Sequence, residues 1–281
     1  MVAVSTNVLT FSFCELNHTM NSSACIEMLF TEVPFVDRIA KAGEAGFDAI
    51  EFWNWDDKDL GAIKDAVASA GIRIASFQSN RGGTLIEPSH REKFVSGIAE
   101  SLEKARELDS GALFLLTDEL GDDRSVKFKS TLSFDEKRES VLVGLKAIAP
   151  LAEKAGITIV LEPLNTLVDH PGYFLDSVDL GAQLVREVAN PKIRLLFDIY
   201  HVQVMQGNLI ERLREHLDVI GHVHVADVPG RHEPGTGEIN YRNVFKSLKE
   251  AGYDKTVGFE YVPTLASEVT ATSSLAMLRG R

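Results

Sequence analysis

Short apolar runs alternate with longer segments of helical periodicity along this chain of 281 residues. Eight runs rich in β-branched, leucine or aromatic residues have the length of buried strands, and the segments between them can form helices. The runs are AVSTNVLTF from residue 3, FDAIEFW from 47, IRIASFQ from 72, ALFLLT from 112, ITIVLEP from 157, IRLLFDI from 193, VIGHVHVAD from 219 and TVGFEYV from 256. This alternation predicts an α/β fold, a single (β/α)8 TIM barrel that forms one domain over residues 1–281.

A glycine precedes five of the predicted strands, in the segments EAGFDAIEF, SAGIRIASF, DSGALFLL, KAGITIVLE and EAGYDKTVGFE. Helices commonly end beside a residue with positive φ, and glycine adopts that conformation without steric cost. We therefore expect a helix to end at each of these glycines, which are Gly46, Gly71, Gly111, Gly156 and Gly252. The recurrence of one joint supports a repeated βα architecture more strongly than any single glycine does.

Two segments are longer than a minimal barrel requires: residues 12–28, after the first predicted strand, and residues 118–134, after the fourth. Both follow strands, so both belong to the face of the barrel where sites are built. They are candidate lids, with passive surface loops as the alternative. Cys14 and Cys25 lie in the first segment, and we interpret them as unpaired thiols in a loop because two cysteines cannot build a disulfide framework.

The composition narrows the class of partner. The formal net charge of -12 argues against broad attraction to nucleic acids or anionic membranes, so a small molecule is the expected partner. No apolar stretch approaches the roughly 20 residues that span a bilayer, and no basic segment precedes an apolar one at the start of the sequence. We expect a cytoplasmic protein, and a homo-oligomer stays open. The sequence contains no GxxxxGK[ST], strand-linked GxGxxG or GxSxG motif, which disfavours nucleotide use and covalent serine catalysis.

Four polar residues each end an apolar run in the second half of the chain: Glu162, Asp198, His224 and Glu260. They are separated by 36, 26 and 36 residues, intervals that fit successive βα units. The carboxyl ends of parallel barrel strands converge on one face, so these side chains can meet around a single divalent ion. Three carboxylates and an imidazole favour Mn²⁺ or Mg²⁺, with Co²⁺ or Zn²⁺ as alternatives. A helix cap or a salt bridge would explain any one of the four alone.

Neighbouring residues extend this candidate site. His222 shares a strand face with His224, and we interpret it as a hydrogen-bonded residue one layer deeper in the barrel. His201 is predicted to contact substrate from the loop after Asp198. Arg231, in ADVPGRHEPGTGEINY, is a natural partner for a substrate carboxylate or hydroxyl, with a salt bridge that stiffens the loop as the alternative.

Glu51 and Asn7 also lie at predicted strand ends on the same face. For both residues, direct contact with the ion or substrate and support of another side chain stay equally open.

Five motifs occur together in the second half of the chain: LEPLNT (161–166), DHPGYFL (169–175), FDIYHVQVMQGNL (197–209), GHVHVADVPGRHEPGTGEINY (221–241) and GFEYVP (258–263). In this combination the chain resembles the hydroxypyruvate isomerase family, within the xylose-isomerase-like barrel superfamily of sugar isomerases and epimerases. The resemblance implies a metal held by Glu162, Asp198, His224 and Glu260. It also implies that Glu162 and Glu260 act as acid and base, and that His201 and Arg231 bind substrate.

The chain departs from the family pattern in two places. Members close to the bacterial hydroxypyruvate enzyme tend to have Gln at the position of His224, where His is more typical of ketose 3-epimerases. Residues 12–28 look like an insertion, which leaves the size of the substrate open. The stretch NTLVDHPG lacks the additional glutamate of the NRFE-like motif in the 3-epimerases, and this absence favours an isomerase.

The leading functional hypothesis is a metal-dependent aldose–ketose type isomerase of a small hydroxy-oxo acid, of the kind that converts hydroxypyruvate to tartronate semialdehyde through a cis-enediolate. The alternative is a ketose 3-epimerase of the D-tagatose, D-psicose or L-ribulose type. Endonuclease IV-like DNA repair would need more histidines than the eight of this sequence, to hold a cluster of zinc ions. It would also need a basic surface that faces DNA, which a net charge of -12 disfavours. A non-catalytic sugar-binding barrel would more naturally lose one of the two glutamates.

Overall fold

The computed structural model describes residues 20–281 of the chain. Eight parallel strands close into a barrel in sequence order, with β1 pairing with both β2 and β8. The strands are β1 (Asn21–Cys25), β2 (Ala49–Phe52), β3 (Arg73–Gln78), β4 (Ala112–Leu115), β5 (Thr158–Leu161), β6 (Ile193–Asp198), β7 (Ile220–Val225) and β8 (Thr256–Phe259). The predicted fold class, a (β/α)8 barrel, is confirmed.

Helices surround the barrel and connect successive strands. Over residues 20–281 they are α1 (Asp37–Ala45), α2 (Leu60–Ala70), α3 (Arg91–Glu107), α4 (Phe134–Ala155), α5 (Val178–Val188), α6 (Ile199–Met205), α7 (Leu209–His216), α8 (Tyr241–Glu250) and α9 (Ser267–Leu278). A 3-10 turn, Pro88–His90, precedes α3. The main apolar core lies between the strands and this outer layer of helices. No helix within that range combines the length and the hydrophobicity that a membrane crossing requires.

The first strand is not where the sequence pattern predicted it. β1 lies inside the segment 12–28 that we expected to be a loop, while the AVSTNVLTF run, with Asn7 and Cys14, lies outside the described residues. The sequence of β1, NSSAC, has no bulky apolar residue, so the hydrophobic pattern does not reveal this strand. Instead, polar contacts join it to the residue that precedes β2: the Ser22 backbone N–H and Oγ both donate to Asp48 Oδ2 at 2.8 Å. Residues 21–25 are therefore barrel wall, and Cys25 is a buried strand-end thiol, not a loop residue.

The prediction that a helix ends beside a glycine with positive φ is confirmed at four of the five positions. Gly46, Gly71, Gly156 and Gly252 have φ values of 93°, 67°, 77° and 79°, each at or just after a helix end. The prediction was wrong for Gly111. After α3 the positive φ falls on Asp109, at 55°, so the chain has already turned before it reaches that glycine.

The inside of the barrel is filled differently from the outer core. A small apolar cluster of Phe114, Val160 and Leu196 is separate from the main one. Gly258 in β8 makes room for polar groups, because a Cβ at that position would lie 2.7 Å from both Glu51 Oε1 and His224 Cδ2. The barrel interior therefore admits charged side chains where a larger residue in β8 would exclude them.

Candidate active site

Four side chains converge at the carboxyl ends of β5 to β8. Glu162 follows β5, Asp198 ends β6, His224 lies in β7 and Glu260 follows β8. All four are buried, and each offers a nitrogen or oxygen atom that lies within 4.8 Å of those of the others. His224 Nδ1 is 3.4 Å from Glu260 Oε2, 3.6 Å from Glu162 Oε1 and 3.9 Å from Asp198 Oδ2. The structure therefore brings together all four residues predicted from the sequence.

Glu51 fixes the orientation of the His224 ring through a contact with its Nε2 atom. Its Oε2 lies 2.7 Å from His224 Nε2, and its Oε1 lies 2.8 Å from His222 Nε2 and accepts a bond from Ser23 Oγ. This contact turns His224 Nδ1 towards the three carboxylates, and within the described chain Nδ1 has no hydrogen-bond partner. Burial works against protonation, but the charges of Glu51 and Glu260 raise the pKa of His224 well above its usual value. Glu51 thus supports His224, and His222 lies one layer deeper, as predicted.

Glu260 is held by two strong donors. Trp53 Nε1 donates to Oε1 at 2.8 Å, and Arg231 Nη2 donates to Oε2 at 2.7 Å. Burial alone would raise the pKa of Glu260, but the positive charges of Arg231 and His224 hold it well below the usual range. Trp53 was not predicted as a site residue. In its run, FDAIEFW, the sequence pattern indicated Glu51 as a candidate site residue but not Trp53, and the position of a tryptophan just past a strand end was the one signal that could have revealed it.

Glu162 stands in a different environment from Glu260. No arginine or indole donor reaches its carboxylate in the described residues, and burial raises its pKa to about 7. Burial also raises the pKa of Asp198. Since three buried carboxylates face one imidazole, the cluster concentrates negative charge that its neighbours only partly neutralise.

The two carboxylate oxygens of Asp198 have different roles. Its Oδ1 accepts a bond from the His201 backbone N–H at 3.0 Å and so caps the amino end of α6. The cap starts a helix at Ile199, which is why His201 lies in the first helical turn and not in the loop that we predicted. The other oxygen, Oδ2, is directed to the cluster.

His201 is positioned by Asn165, from the LEPLNT motif. The Asn165 backbone N–H and Nδ2 contact His201 Nδ1 at 3.2 Å and 2.7 Å, so Nδ1 is the acceptor and Nε2 carries the hydrogen. Burial and the charge of Arg231 keep the pKa of His201 well below its usual value, so the ring is neutral. Nε2 has no hydrogen-bond partner in the described structure and His201 lines the pocket above the cluster.

Arg231 is buried, with 8% of its surface exposed, and its guanidinium lies 5.3 Å from the centre of the Tyr200 ring. Its backbone φ of 56° follows Gly230 at 94°, so the PGR turn uses two left-handed residues in succession. The salt bridge that we considered for Arg231 is present, and it joins a carboxylate of the cluster instead of stiffening the loop alone. The side chain also lines the pocket.

A pocket of about 450 Å³ opens above the cluster. Glu162, Glu260, His201 and Arg231 line it together with aromatic and aliphatic side chains, a mixture typical of small-molecule sites. Residues 120–124 of the segment 118–134 also line it in part, so this segment reaches the site, and its function as a lid stays a prediction. Arg124 in that segment was not anticipated. Its Nη1 lies 3.5 Å from Asp169 Oδ1, and about half of its side chain is exposed.

Comparison with known proteins agrees with this architecture. The family model of the xylose isomerase-like TIM barrel matches residues 39–281. A hydroxypyruvate isomerase of Escherichia coli is 31% identical over 253 residues, which are 88% of this chain and 95% of the relative. A 2-oxo-tetronate isomerase of Cupriavidus necator is 31% identical, over 86% of this chain and 92% of that protein. A crystal structure described as an AP endonuclease, family 2, from Brucella melitensis matches with a TM-score of 0.82 and 29% identity, covering 93% and 99% of the two chains.

The chain therefore belongs to the xylose isomerase-like TIM barrel family. Within that class its relatives place it with the hydroxypyruvate isomerase family, and the protein is an isomerase.

Proposed function

We propose that this protein is a metal-dependent isomerase of a small hydroxy-oxo acid, with hydroxypyruvate as the first candidate substrate and 2-oxo-tetronate as the second. One observation carries the proposal: Glu162, Asp198, His224 and Glu260 offer ligand atoms within 4.8 Å of one another, and the two glutamates of this cluster line the pocket. The names of the two isomerases to which the chain is similar support the class of substrate.

The four residues fit a divalent ion. His224 Nδ1 is buried without a hydrogen-bond partner in the described chain and faces three carboxylates, an arrangement that costs several kcal/mol unless a cation offsets it. The predominance of oxygen donors favours Mn²⁺ or Mg²⁺, with Co²⁺ or Zn²⁺ as alternatives. When bound, such an ion polarises the carbonyl and hydroxyl oxygens of a substrate and so makes the neighbouring C–H more acidic.

The two glutamates move the proton. In hydroxypyruvate one glutamate, as a carboxylate, removes a proton from C3 and leaves the electron pair in a cis-enediolate over C2 and C3, and the other, as a carboxylic acid, delivers a proton to C2. The C3 hydroxyl loses its proton as the aldehyde forms, and the C2 oxygen gains one, so the product tartronate semialdehyde has the same atoms. Glu260 is aligned for its part by Trp53 and Arg231.

Two further groups bind and orient the substrate. His201 presents its Nε2–H to the pocket, where it can donate to a substrate oxygen because Asn165 fixes the tautomer. Arg231 lies beside Glu260 and lines the same pocket, which suits a substrate carboxylate or hydroxyl next to the reacting carbons.

The test is a substrate panel with the metal-loaded protein. Hydroxypyruvate, 2-oxo-tetronate and ketoses of four to six carbons are incubated in D₂O, and the products are identified by NMR. We expect the carbonyl of hydroxypyruvate to move to the neighbouring carbon. No turnover of either oxo acid would overturn the proposed substrate class.

The alternative function, C3 epimerisation of a ketose, uses the same pair of glutamates on opposite faces of one carbon. It predicts deuterium exchange at C3 without movement of the carbonyl, so the same NMR experiment distinguishes it. Duplex DNA with an abasic site completes the panel, given the description of the Brucella structure, and we expect no cleavage.

A further inference from the structure

A second cavity lies at the other end of the barrel from the candidate active site, where the strands begin. We call it the amino-terminal cavity, and its volume is about 590 Å³. The first or second residue of each strand from β2 to β8 contributes to its wall: Ala49, Arg73, Ala112, Thr158, Arg194, Gly221 and Thr256. It shares no lining residue with the pocket above the glutamates, so it is a separate site.

The charge of this cavity is opposite to that of the whole protein. Arg73, Arg194 and Lys255 line it, and Asp109 is the one carboxylate among its lining residues. The chain as a whole has 41 acidic and 29 basic residues, so a cluster of three cations against one acid runs against its composition. The cations come from the starts of β3, β6 and β8, and the closure of the barrel brings them together.

None of these three cations forms an ion pair with a carboxylate in the described residues 20–281. Each donates to a neutral oxygen instead: Arg73 Nη2 to Asn21 Oδ1 at 3.2 Å, Lys255 Nζ to the Ile220 carbonyl at 3.0 Å and Arg194 Nη2 to the Asp218 carbonyl. A guanidinium has five N–H donors and an ammonium three, so most of their donors remain available. Burial and the charge of Arg194 lower the pKa of Lys255, as expected where like charges are crowded.

We propose that the amino-terminal cavity binds a small multivalent oxyanion, a phosphate group that is either free or carried by a small metabolite. Two guanidinium groups and an ammonium group from separate strands surround a space large enough for such an ion. Arginine and lysine bind phosphate oxygens through charge-assisted hydrogen bonds. The site is independent of the proposed isomerase reaction.

A short chain of contacts joins this site to the other end of the barrel. His222 lines the amino-terminal cavity and lies 2.8 Å from Glu51, which in turn holds His224 at 2.7 Å. An anion in the cavity is therefore separated from the candidate metal ligands by only two side chains.

The test is thermal unfolding of the full chain while sodium phosphate replaces sodium chloride at constant ionic strength. We expect a saturable rise in the melting temperature. Arg194→Gln and Lys255→Gln should each weaken the apparent phosphate affinity about tenfold or more, because each removes a charged donor. A parallel titration with glycerol 3-phosphate distinguishes a free ion from a phosphate group on a carrier, since only a carried group gains affinity from the additional atoms.

Two matched controls locate the site. Lys249→Gln removes a cation from a basic groove beside α8, and Arg124→Gln removes one from the active-site pocket. Both should keep the wild-type response to phosphate. The proposal is overturned if phosphate acts no differently from chloride, or if either control loses the response as fully as Arg194→Gln does.

A direct measurement covers the case in which the cavity variants do not fold. Crystals of the wild-type protein are soaked in molybdate, a tetrahedral dianion with a strong anomalous signal. We expect an anomalous peak between Arg194 and Lys255. A cavity without a peak, in crystals that bind molybdate elsewhere or nowhere, would contradict the proposal.

Discussion

At the scale of single residues, the two glutamates differ in what surrounds them. Glu260 accepts bonds from Trp53 and Arg231, whereas Glu162 has neither kind of donor within the described chain. A Gln in either place keeps the shape and an oxygen ligand but removes the proton acceptor. We therefore expect turnover of hydroxypyruvate to fall at least about 10²-fold in Glu162→Gln and in Glu260→Gln.

Measurement of the metal content distinguishes a loss of the proton acceptor from a loss of the bound ion. Elemental analysis of both variants should show a smaller reduction in bound metal than in turnover. Glu238→Gln is the matched control, since Glu238 is exposed and its carboxylate accepts a bond from Gln203 Nε2 at 3.1 Å, outside the cluster. If both active-site variants turned over at the wild-type rate, the proposed proton transfer would be wrong.

The two arginines of the pocket should have different kinetic effects. Arg231 bonds directly to Glu260, so Arg231→Ala should lower kcat as well as raise KM for the acid. Within residues 20–281 the Arg124 guanidinium pairs with Asp169, at 3.5 Å, and not with a carboxylate of the cluster, and it reaches the pocket from the segment 118–134. Arg124→Ala should therefore raise KM for hydroxypyruvate and leave kcat nearly unchanged.

Steady-state kinetics with the acid and with an uncharged ketose measure both effects. An unchanged kcat in Arg231→Ala would show that the contact with Glu260 does not align the carboxylate.

The site residues could be predicted from the sequence to the extent that each one ends a strand. Glu162, Asp198, His224 and Glu260 do so in motifs whose spacing fits successive βα units, and the structure brings them together. Trp53 and Asn165 act through hydrogen bonds to partners that are distant in sequence, 207 and 36 residues away. No local pattern encodes such partners, because only the closed barrel determines which side chains meet.

At the scale of secondary-structure elements, the backbone φ at the joints between helices and strands shows which residue makes the turn. Gly156 has a φ of 77° and Gly111 does not have a positive φ, yet a Cβ at either position would meet nothing within 4 Å. Gly156→Ala should therefore destabilise the protein by about 1–2 kcal/mol through backbone strain alone. Gly111→Ala is the matched control and should change the free energy of unfolding by less than about 0.5 kcal/mol.

Urea unfolding of the two variants measures the difference. Equal stabilities would mean that the positive φ at Gly156 carries no cost for an alanine.

The same comparison explains why strand prediction succeeded for seven strands and failed for one. β2 to β8 contain bulky apolar residues, which the pattern detects. β1 consists of small residues, and the bonds of Ser22 to Asp48 and of Ser23 to Glu51 hold it in register. A strand that is specified by polar contacts with its neighbour has no period of hydrophobic residues, so the sequence pattern alone could not predict it.

At the scale of the whole molecule, the barrel holds negative charge at the carboxyl ends of its strands and positive charge at the amino ends. The cluster of Glu162, Asp198 and Glu260 lies at one end, and Arg73, Arg194 and Lys255 line the cavity at the other. Between them, Glu51 is paired with His222 and His224. At each end the opposite charge is the smaller one, since Arg231 and His224 face three carboxylates and Asp109 is the one carboxylate beside three cations. This imbalance is the common physical basis for a cation at one end and an anion at the other.

Removal of the proposed ion should lower the stability of the whole barrel. The three buried carboxylates repel one another once the cation has gone, and an ion at 100 times its dissociation constant stabilises a fold by about 2.7 kcal/mol. We expect the melting temperature to fall by several degrees after chelation and to recover on addition of Mn²⁺. Asp198→Asn should show a much smaller response to Mn²⁺ than the wild type.

Titration calorimetry should give one ion per chain. Glu51, His222 and His224 form a second group of ligand-type residues, but Glu51 already lies 2.7–2.8 Å from both imidazoles, so these contacts leave no space for an ion between them. Binding of two ions per chain would contradict that argument, whereas a melting temperature indifferent to both chelator and Mn²⁺ would remove the basis for the metal site itself.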